Sequence, residues 1–269
     1  MTTVFVSGSF DDLRSRHVRS LQEASRLGDL HVLLWSDDTV QRLTGQPPKF
    51  PQAERLYLIE SIRYVNHVSL TTELTATEAL PATAPVSSAI WAVTEADDTA
   101  AKRAFCAAHG LGYHVISAAE LAGFPMPPES VPDHPSVIVT GCYDWLHSGH
   151  VRFFEEASSY GRLIVAVGND ANVRHLKGEG HPLQPQEERR YMVGAIRHVA
   201  LAVLTSGWGW LDAEPEIARF RPDYYIVNED GDKPEKRAFC AAHGLQYIVL
   251  RRTPKAGLPQ RSSTQLRGF

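Results

Sequence analysis

The ten residues KRAFCAAHGL occupy positions 102–111 and recur without a change at positions 236–245. An identical decamer does not recur by chance in a chain of 269 residues. Displacing the chain by about 134 positions brings further matches together, which indicates an internal repeat. The aligned pairs include 8–11 (GSFD) with 141–144 (GCYD), Ser15 and His17 with Ser148 and His150, and 51–55 (PQAER) with 185–189 (PQEER). The two halves are therefore predicted to be copies of one fold.

The joint between the copies lies in the proline-rich stretch GFPMPPESVPDHP, residues 123–135. Proline favours extended backbone and prevents a helix there. The sequence thus predicts a first domain over residues 1–122, a linker over 123–135 and a second domain over 136–269. Each domain is long enough to bury a core of its own.

Both halves share one order of elements: a short apolar strand, a glycine turn, an amphipathic helix and a second strand. A polar stretch then leads to a helix near Pro51 or Pro185, with proline in its first turn. Later strands flank the repeated decamer, which reads as a helix ended by glycine. The predicted strands are 4–7, 30–35, 90–93 and 113–116, then 137–140, 163–168, 199–205, 224–227 and 246–250. The predicted first helices are 18–27 and 151–160.

This alternation predicts the α/β class, with two tandem Rossmann-like domains that each have a parallel sheet and helices on both faces. In such sheets, ligands bind at the carboxyl ends of the strands, where the strand order switches. The first turn of each half is such a place.

Composition excludes several classes of function. Hydrophobic residues make up 43% of the chain, charged residues 22%, and the net charge is −4. No overall positive field attracts nucleic acid or an anionic membrane. The start of the chain does not resemble a signal peptide, and no apolar run approaches the roughly 18 residues of a membrane span. We expect a cytoplasmic protein, and its three cysteines do not indicate disulfides or a zinc site.

The turn of the second half, residues 141–152, reads GCYDWLHSGHVR. His147 and His150 flank Ser148 and Gly149 directly before a predicted helix. Glycine allows close approach of a ligand to the backbone, and a helix N-terminus favours phosphate. Protonated or as N–H donors, two imidazoles there can stabilise charge on phosphorus. Spacing alone favours the alternative of two surface histidines beside a helix cap.

The residues around the two histidines favour a phosphate-binding site over a pair of surface histidines. With Gly141, Tyr143, Asp144 and Leu146 before it, the His147–His150 sequence resembles the HxGH nucleotidyltransferase family, in particular its cytidylyltransferase-like branch. Residues 168–189 are similar to the nucleotidyltransferase domain of bacterial ADP-heptose synthases. Residues 251–253, 257 and 261–264 resemble the RTxGIST signature of cytidylyltransferases, with an insertion at 255–260.

The resemblance implies that an acceptor phosphate attacks the α-phosphate of a nucleoside triphosphate and that pyrophosphate leaves. His147 and His150 would contact the phosphates, Lys177 would add charge from a mobile loop, and Arg189 would bind phosphate bidentately. The alternatives are a solvated loop lysine and a helix-surface salt bridge. Mg²⁺ would travel with the triphosphate and need no protein metal site.

Nucleotide-binding residues are predicted from the same resemblance. They are Gly141, Cys142, Tyr143, Asp144 and Gly149 at the turn, Asn228, Asp230 and Asp232 after a strand, and Arg252, Thr253, Ser262, Ser263 and Thr264 near the end. The acidic turn 228–232 instead selects the acceptor or is merely solvated, and 262–264 otherwise cap a helix at 264–267. Arg152 and Trp208 are the candidate acceptor-binding residues, although packing between the halves is the favoured interpretation of the tryptophan.

The first half departs from the motif. Its equivalent is Arg14-Ser15-Arg16-His17, so one histidine and the glycine are gone, and Arg16 is expected to crowd the phosphate space. It also lacks a clear counterpart of Lys177 and a serine–threonine cluster. We interpret it as a degenerate nucleotidyltransferase-like copy in an internal pseudo-dimer, with homodimerisation and a regulatory site left open.

Three functions follow from these residues. The favoured one transfers a nucleoside monophosphate from CTP to a small phosphorylated alcohol, polyol or sugar. An adenylyltransferase that uses ATP and a non-catalytic nucleotide-binding protein are the alternatives.

Overall fold

The computed structural model describes residues 2–81, 88–126, 135–262 and 266. The chain divides into two compact units, Met1–Gly123 and Phe124–Phe269. The division falls at the start of the predicted linker, of which residues 127–134 lie outside the described ranges.

The first unit alternates strands and helices. Its elements are β1 (Thr3–Gly8), α1 (Ser15–Ser25), β2 (Asp29–Trp35), α2 (Asp37–Thr44), α3 (Gln52–Glu60), β3 (His67–Thr71), β4 (Ile90–Thr94), α4 (Ala100–His109) and β5 (Gly112–Ile116).

The second unit repeats this order. Its elements are β6 (Ser136–Gly141), α5 (Ser148–Ala157), β7 (Arg162–Val167), α6 (Asp170–Lys177), α7 (Gln186–Gly194), β8 (Val199–Leu204), α8 (Glu214–Phe220), β9 (Tyr224–Asn228), α9 (Pro234–His243) and β10 (Gln246–Leu250).

Within the described residues, each unit has one parallel five-stranded sheet. The orders are β3-β2-β1-β4-β5 and β8-β7-β6-β9-β10, so the two topologies are the same. The predicted α/β fold with two Rossmann-like domains is confirmed. Strand order reverses beside β1 and β6, which is where ligands bind in this architecture.

The central strands open a crevice at that point. β6 pairs along its whole length with β7, from Ser136 to Gly141. Its recorded pairing with β9 ends at Ile138, opposite Tyr225. The carboxyl ends of β6 and β9 therefore diverge, and the turn after Gly141 lies above the gap.

The core of each unit consists of apolar strands buried on both faces. Val137, Ile138 and Val139 of β6 are fully buried, as is the run from Ile164 to Val167 in β7. Such unbroken apolar runs are typical of parallel strands covered by helices on both sides. No helix within the described residues is long and apolar enough to cross a bilayer.

Four elements were not predicted, one of them the short helix α8 (Glu214–Phe220). Helices α2 and α6 lie in the supposed polar stretches, where Ser36 and Asn169 cap their first turns. Strand β3 lies at a sheet edge and is mostly exposed, so its sequence lacks a clear apolar run. Pro51 and Pro185 occupy the N-cap positions of α3 and α7 instead of their first turns.

Candidate active site

The turn between β6 and α5 brings the two histidines together. His147 is the N-cap of α5, and its Nδ1 accepts a hydrogen bond from the backbone N–H of Gly149 at 3.1 Å. One helical turn later, the His150 ring stacks on it, with 3.9 Å between the ring centroids. His147 is only 2% exposed, so the interpretation as surface histidines is wrong.

Burial keeps both imidazoles neutral in the free protein. It lowers the pKa of His147 to about 3, with further lowering from Arg252 and Arg261. Burial also holds the pKa of His150 well below its usual value, and His147 adds to this shift. Both histidines are therefore neutral rings in the free protein, and the alternative of protonated imidazoles does not apply to it.

Each histidine of this pair has one ring nitrogen without a hydrogen-bond partner among the described residues. Nε2 of His147 and Nδ1 of His150 are buried and make no hydrogen bond with the described residues. Because Nδ1 of His147 is an acceptor, we assign its proton to Nε2. That N–H is ready to donate to an oxygen of a bound ligand.

The end of the chain approaches the same turn. A Cβ atom on Gly149 would lie 3.5 Å from the carbonyl oxygen of Arg261 and 3.0 Å from the His147 ring. A cleft beside α5 is lined by Gly149, Arg152, Asn228, Arg252, Thr253 and Arg261, among others. The structure therefore brings the predicted turn and the 252–261 segment together, while Ser263 and Thr264 lie outside the described residues and Ser262 is the last described position next to them.

Arg252 is fixed at one wall of this cleft. Its guanidinium donates to Asp230 at 2.6 Å and to the carbonyl of Arg261 at 2.9 Å. Asp230 of the acidic turn thereby holds Arg252 in place. Burial is the main cause of the low pKa values of His147 and His150, and the positive charge of Arg252 lowers both further.

Asp232, predicted to bind nucleotide, contacts α9 and β10 instead. It pairs with Arg237 at 2.5 Å and accepts from the Tyr247 hydroxyl at 3.0 Å. In the first unit Asp98 makes the same two contacts, with Arg103 and with the hydroxyl of its aligned tyrosine. A contact present in both copies is best explained as a brace of the fold.

Arg189 does not offer a free guanidinium to phosphate. It is fully buried, and it donates to the carbonyls of Gln184, Cys142 and Gly168 and to the Asp170 carboxylate. The interpretation as a helix-surface salt bridge is also wrong. Arg189 thereby connects the turn after β6 to the end of β7 and the start of α6.

Other turn residues position the histidines. Oδ1 of Asp144 accepts from the backbone N–H groups of Leu183 and Gln184, at 2.7 and 3.0 Å. Tyr143 has a positive φ of 53° and packs edge-on against His150, with 5.2 Å between centroids. The carbonyl of Cys142 accepts from Arg189. These contacts fix the conformation of the turn that carries the two histidines.

Lys177 is the last residue of α6 and not part of a loop. It is exposed, and burial followed by several positive charges, Lys177 among them, lowers the pKa of His150. Its ammonium group is therefore within electrostatic range of the histidine pair.

The two candidate acceptor residues lie in different places. Arg152 lines the cleft beside Gly149 and forms ion pairs with Glu155 at 3.0 Å and Glu156 at 2.6 Å. Trp208 follows β8, is 59% exposed and stacks on His175 with 4.8 Å between centroids. More than half of its surface is therefore exposed.

The equivalent turn of the first unit is built differently. Arg14 pairs with Asp12 at 2.8 Å, and burial lowers the pKa of His17 to about 4. Arg16 is exposed, borders a cavity of about 870 Å³ and donates from Nε to Nε2 of His17 at 3.3 Å, so its side chain lies against the equivalent histidine. Trp35, Trp91 and Lys102 also line this cavity.

Sequence reasoning missed a second polar group of residues near the strand ends of the second unit. Oδ2 of Asp212 accepts from Asn172 at 3.0 Å and from the hydroxyl of Thr205 at 2.9 Å. Lys236 of α9 is buried, and the negative charge of Asp212 acts against the lowering of the Lys236 pKa that burial causes. The one available signal was that Lys236 begins the second copy of the decamer.

The second unit is thus a parallel α/β domain with a histidine pair at a helix N-terminus and a nearby arginine. Residues 138–267 match the family model described as cytidylyltransferase-like. The second unit belongs to this family, as its motif resemblance predicted.

The chain is also similar to part of a larger curated protein. The bifunctional protein HldE of Shewanella sp. (strain W3-18-1) is 34% identical over 122 residues, which cover 44% of this chain and 24% of that protein. HldE of Methylococcus capsulatus is 40% identical over 97 residues, covering 36% and 20%. The alignments thus span about a quarter or less of the curated relatives.

Among solved structures, a lipopolysaccharide core biosynthesis protein from Thermoplasma volcanium GSS1 is 22% identical. The match covers 45% of this chain and 97% of that chain, with a TM-score of 0.38.

Proposed function

We propose that the second unit is a nucleotidyltransferase that joins a nucleoside monophosphate to a small phosphorylated sugar, polyol or alcohol. An oxygen of the acceptor phosphate attacks the α-phosphorus of a nucleoside triphosphate. The bond from the α-phosphorus to the bridging oxygen breaks, and pyrophosphate leaves with that oxygen. The family and the HldE relatives support this class of reaction.

The observation that carries the proposal is the stacked pair His147 and His150. Their unpartnered ring nitrogens lie at the start of α5, where backbone N–H groups favour phosphate. Donors held in place before the reaction stabilise the charge that develops on the triphosphate without having to reorganise. No covalent intermediate on the protein is required, since this chemistry depends on positioning and electrostatics.

The surrounding residues have distinct parts in this proposal. Arg252, which follows β10, and Lys177, at the end of α6, bring positive charge to the phosphates. Gly149 leaves room for a phosphate close to the backbone. Asn228, Asp230 and Thr253 border the nucleotide, with Ser262, Ser263 and Thr264 as further phosphate ligands. Trp208 is proposed to contact the acceptor.

Mg²⁺ would enter with the triphosphate. Among the residues the structure describes, no group of three or more His, Cys, Asp or Glu side chains is placed to hold a metal ion. In this proposal, phosphate oxygens and water supply its ligands, and the ion would neutralise charge on the leaving pyrophosphate.

CTP is our first choice of nucleotide, because the 251–264 segment resembles the cytidylyltransferase signature. ATP is the alternative, since residues 168–189 resemble ADP-heptose synthases. Pyrophosphate release should be measured with CTP and ATP against sugar 1-phosphates, polyol phosphates and phosphorylated amino alcohols. Release with one nucleotide and an acceptor of the first two classes is expected.

The chain offers a matched control for this assay. His150→Ala should abolish turnover, whereas His17→Ala at the equivalent position of the first unit should leave it unchanged. Nucleotide binding without turnover on any acceptor would favour a non-catalytic protein. Equal losses in the two variants would contradict the assignment of the active site to the second unit.

A further inference from the structure

The cavity of about 870 Å³ in the first unit lies at the carboxyl ends of its central strands. The pairing of β1 with β4 ends at Phe5, opposite Trp91. Both strands continue beyond that point, β1 through residues 6–8 and β4 through residues 92–94, and these strand ends line the cavity. The cavity therefore opens where the strand order reverses, and its volume falls in the range of about 300–1,000 Å³ that is common for small-molecule sites.

Three positions that line this cavity carry functional side chains where the second unit has glycine. The aligned pairs are Arg16 with Gly149, Trp35 with Gly168, and Asp97 with Gly231. The first unit thus differs from the second by more than the loss of the HxGH turn. It has a guanidinium, an indole and a carboxylate around the crevice where ligands bind in this fold.

The indole of Trp35 is fixed beside the end of β1. Its Nε1 donates to the hydroxyl of Ser7 at 2.8 Å, and the side chain is half-buried. Trp91 of β4 also lines the cavity, so the two tryptophans belong to the strands on either side of β1. Aromatic side chains form platforms on which planar rings stack, and they do so for any nucleobase. These residues favour a ligand with a flat ring.

Arg16 provides a site for an anion. It is exposed in the first turn of α1, and its Nε donates to Nε2 of His17. Arg14 pairs with Asp12 at 2.8 Å, whereas Arg16 forms no ion pair within the described part of the first unit. A guanidinium matches the geometry of a phosphate group and donates to it bidentately. A phosphate of the ligand is therefore expected at Arg16.

The turn after β4 supplies acceptors. Glu95 and Asp97 are exposed and line the cavity. Oδ2 of Asp97 accepts from the hydroxyl of Thr94 at 2.6 Å, and Oε2 of Glu95 accepts from the backbone N–H of Ala118 at 3.0 Å. Each oxygen of an ionised carboxylate can accept more than one hydrogen bond, so both side chains can also accept from sugar hydroxyls.

The described side chains around the cavity carry no net charge. Two of them, Arg16 and Lys102, are cationic. The carboxylates of Glu95 and Asp97 balance them, and burial lowers the pKa of His17 to about 4, so that this ring is neutral at pH 7. Such a site suits a single phosphate better than a triphosphate, whose further charges would be repelled by the two carboxylates.

We propose that the first unit binds a nucleoside monophosphate in this cavity. The base stacks on Trp35, the phosphate pairs with Arg16, and the sugar hydroxyls donate to the carboxylates after β4. This site is separate from the transfer reaction proposed for the second unit, and it binds its ligand without chemistry. The two copies of the fold thus take different ligands, a monophosphate in the first and a triphosphate in the second.

Calorimetry on the full chain with CMP and AMP tests the site. Arg16→Ala should weaken binding of the tighter of the two nucleotides about tenfold, because a hydrogen-bonded charge is lost. Arg26→Ala is the matched control on the same helix, since the Arg26 side chain is 63% exposed and does not line the cavity. Arg252→Ala alters the cleft of the second unit. Both of these variants should bind the monophosphate as the wild-type chain does.

Ligand fragments test the two halves of the contact separately. Ribose 5-phosphate lacks the base and the nucleoside lacks the phosphate, so each should bind about tenfold more weakly than the nucleotide. The affinity for the nucleoside should not respond to Arg16→Ala. Trp35→Leu should weaken binding of the nucleotide but not of ribose 5-phosphate. Should Trp35→Leu fail to fold, the comparison of the nucleotide with ribose 5-phosphate still tests stacking.

Several results would overturn the site. They are equal affinities of the monophosphate for Arg16→Ala and Arg26→Ala, a larger loss in Arg252→Ala than in Arg16→Ala, and ribose 5-phosphate binding as tightly as the nucleotide. A triphosphate whose binding depends on Arg16 more strongly than that of the monophosphate would also contradict it. Absence of pyrophosphate release would count against the transferase in the second unit and leave this binding test unaffected.

Discussion

The carbonyl oxygen of Arg261 lies 3.5 Å from the place where a Cβ on Gly149 would be, so the last segment of the chain covers the N-terminus of α5. The same Cβ would lie 3.0 Å from the His147 ring. A side chain at position 149 would therefore push against the His147 ring.

Gly149→Ala should lower kcat/KM by at least about tenfold, because the methyl group displaces the His147 ring that donates in the transition state. Kinetics with saturating nucleotide and varied acceptor would measure this. Gly231→Ala is the matched control, since a Cβ there meets nothing closer than 3.8 Å. Full activity in Gly149→Ala would contradict close approach of the substrate at this turn.

Acidification should destabilise the second unit through His147. Burial lowers its folded-state pKa to about 3, below the unfolded value near 6.5, so only the unfolded chain takes up the proton between these limits. The free energy of unfolding should therefore decrease as the pH falls from 7, by about 2 kcal/mol at pH 5 from this group.

His147→Asn should remove that part of the pH dependence, because asparagine can still cap α5 but does not ionise. Urea unfolding at pH 5 and pH 7 would measure it, with the exposed His175→Asn as control. A pH dependence that is unchanged in His147→Asn would show that another group is responsible.

Arg189→Lys should reduce the free energy of unfolding by about 3 kcal/mol, since lysine cannot replace a buried guanidinium with several partners. Turnover should also fall, because the carbonyl of Cys142 loses its donor. Arg55 makes the corresponding contacts in the first unit, with Phe50, Ser9, Trp35 and Asp37.

Arg55→Lys is thus the matched variant and should cost similar stability while leaving turnover intact. Denaturant unfolding and pyrophosphate release on the folded variants would distinguish the two. If Arg189→Lys kept its stability and lost only activity, a direct phosphate contact would be the better explanation.

Arg252→Lys should raise KM for the nucleotide about tenfold, because lysine cannot donate to Asp230 and Arg261 together and still face the phosphates. Initial rates with varied nucleotide would measure the change. Arg237→Lys, which disturbs only the brace to Asp232, should keep KM unchanged. A larger effect in Arg237→Lys would place the nucleotide elsewhere.

Much of the fold followed from local patterns. Buried strands such as β6 and β7 are continuous apolar runs, and glycine ends both copies of the decamer helix in the left-handed region at Gly110 and Gly244. Helices α2 and α6 escaped prediction because their start depends on single capping hydrogen bonds in otherwise polar sequence.

The candidate site was only partly predictable. The residues around His147 and His150, together with their spacing, were enough to locate it. Two residues three positions apart at the start of a helix lie on the same face. Their neutral state was not predictable, since burial by other elements sets their pKa values.

By itself, the sequence determined that the chain contains two copies of an α/β fold and that the second copy has the HxGH turn, because periodicity and motif spacing are local properties. Tertiary structure alone decided that Arg189 is buried and bound to three carbonyls, and that His147 is buried at the start of α5. Such roles depend on which strand ends meet in space, and hydrogen-bond partners far apart in sequence become neighbours only when the sheet is assembled.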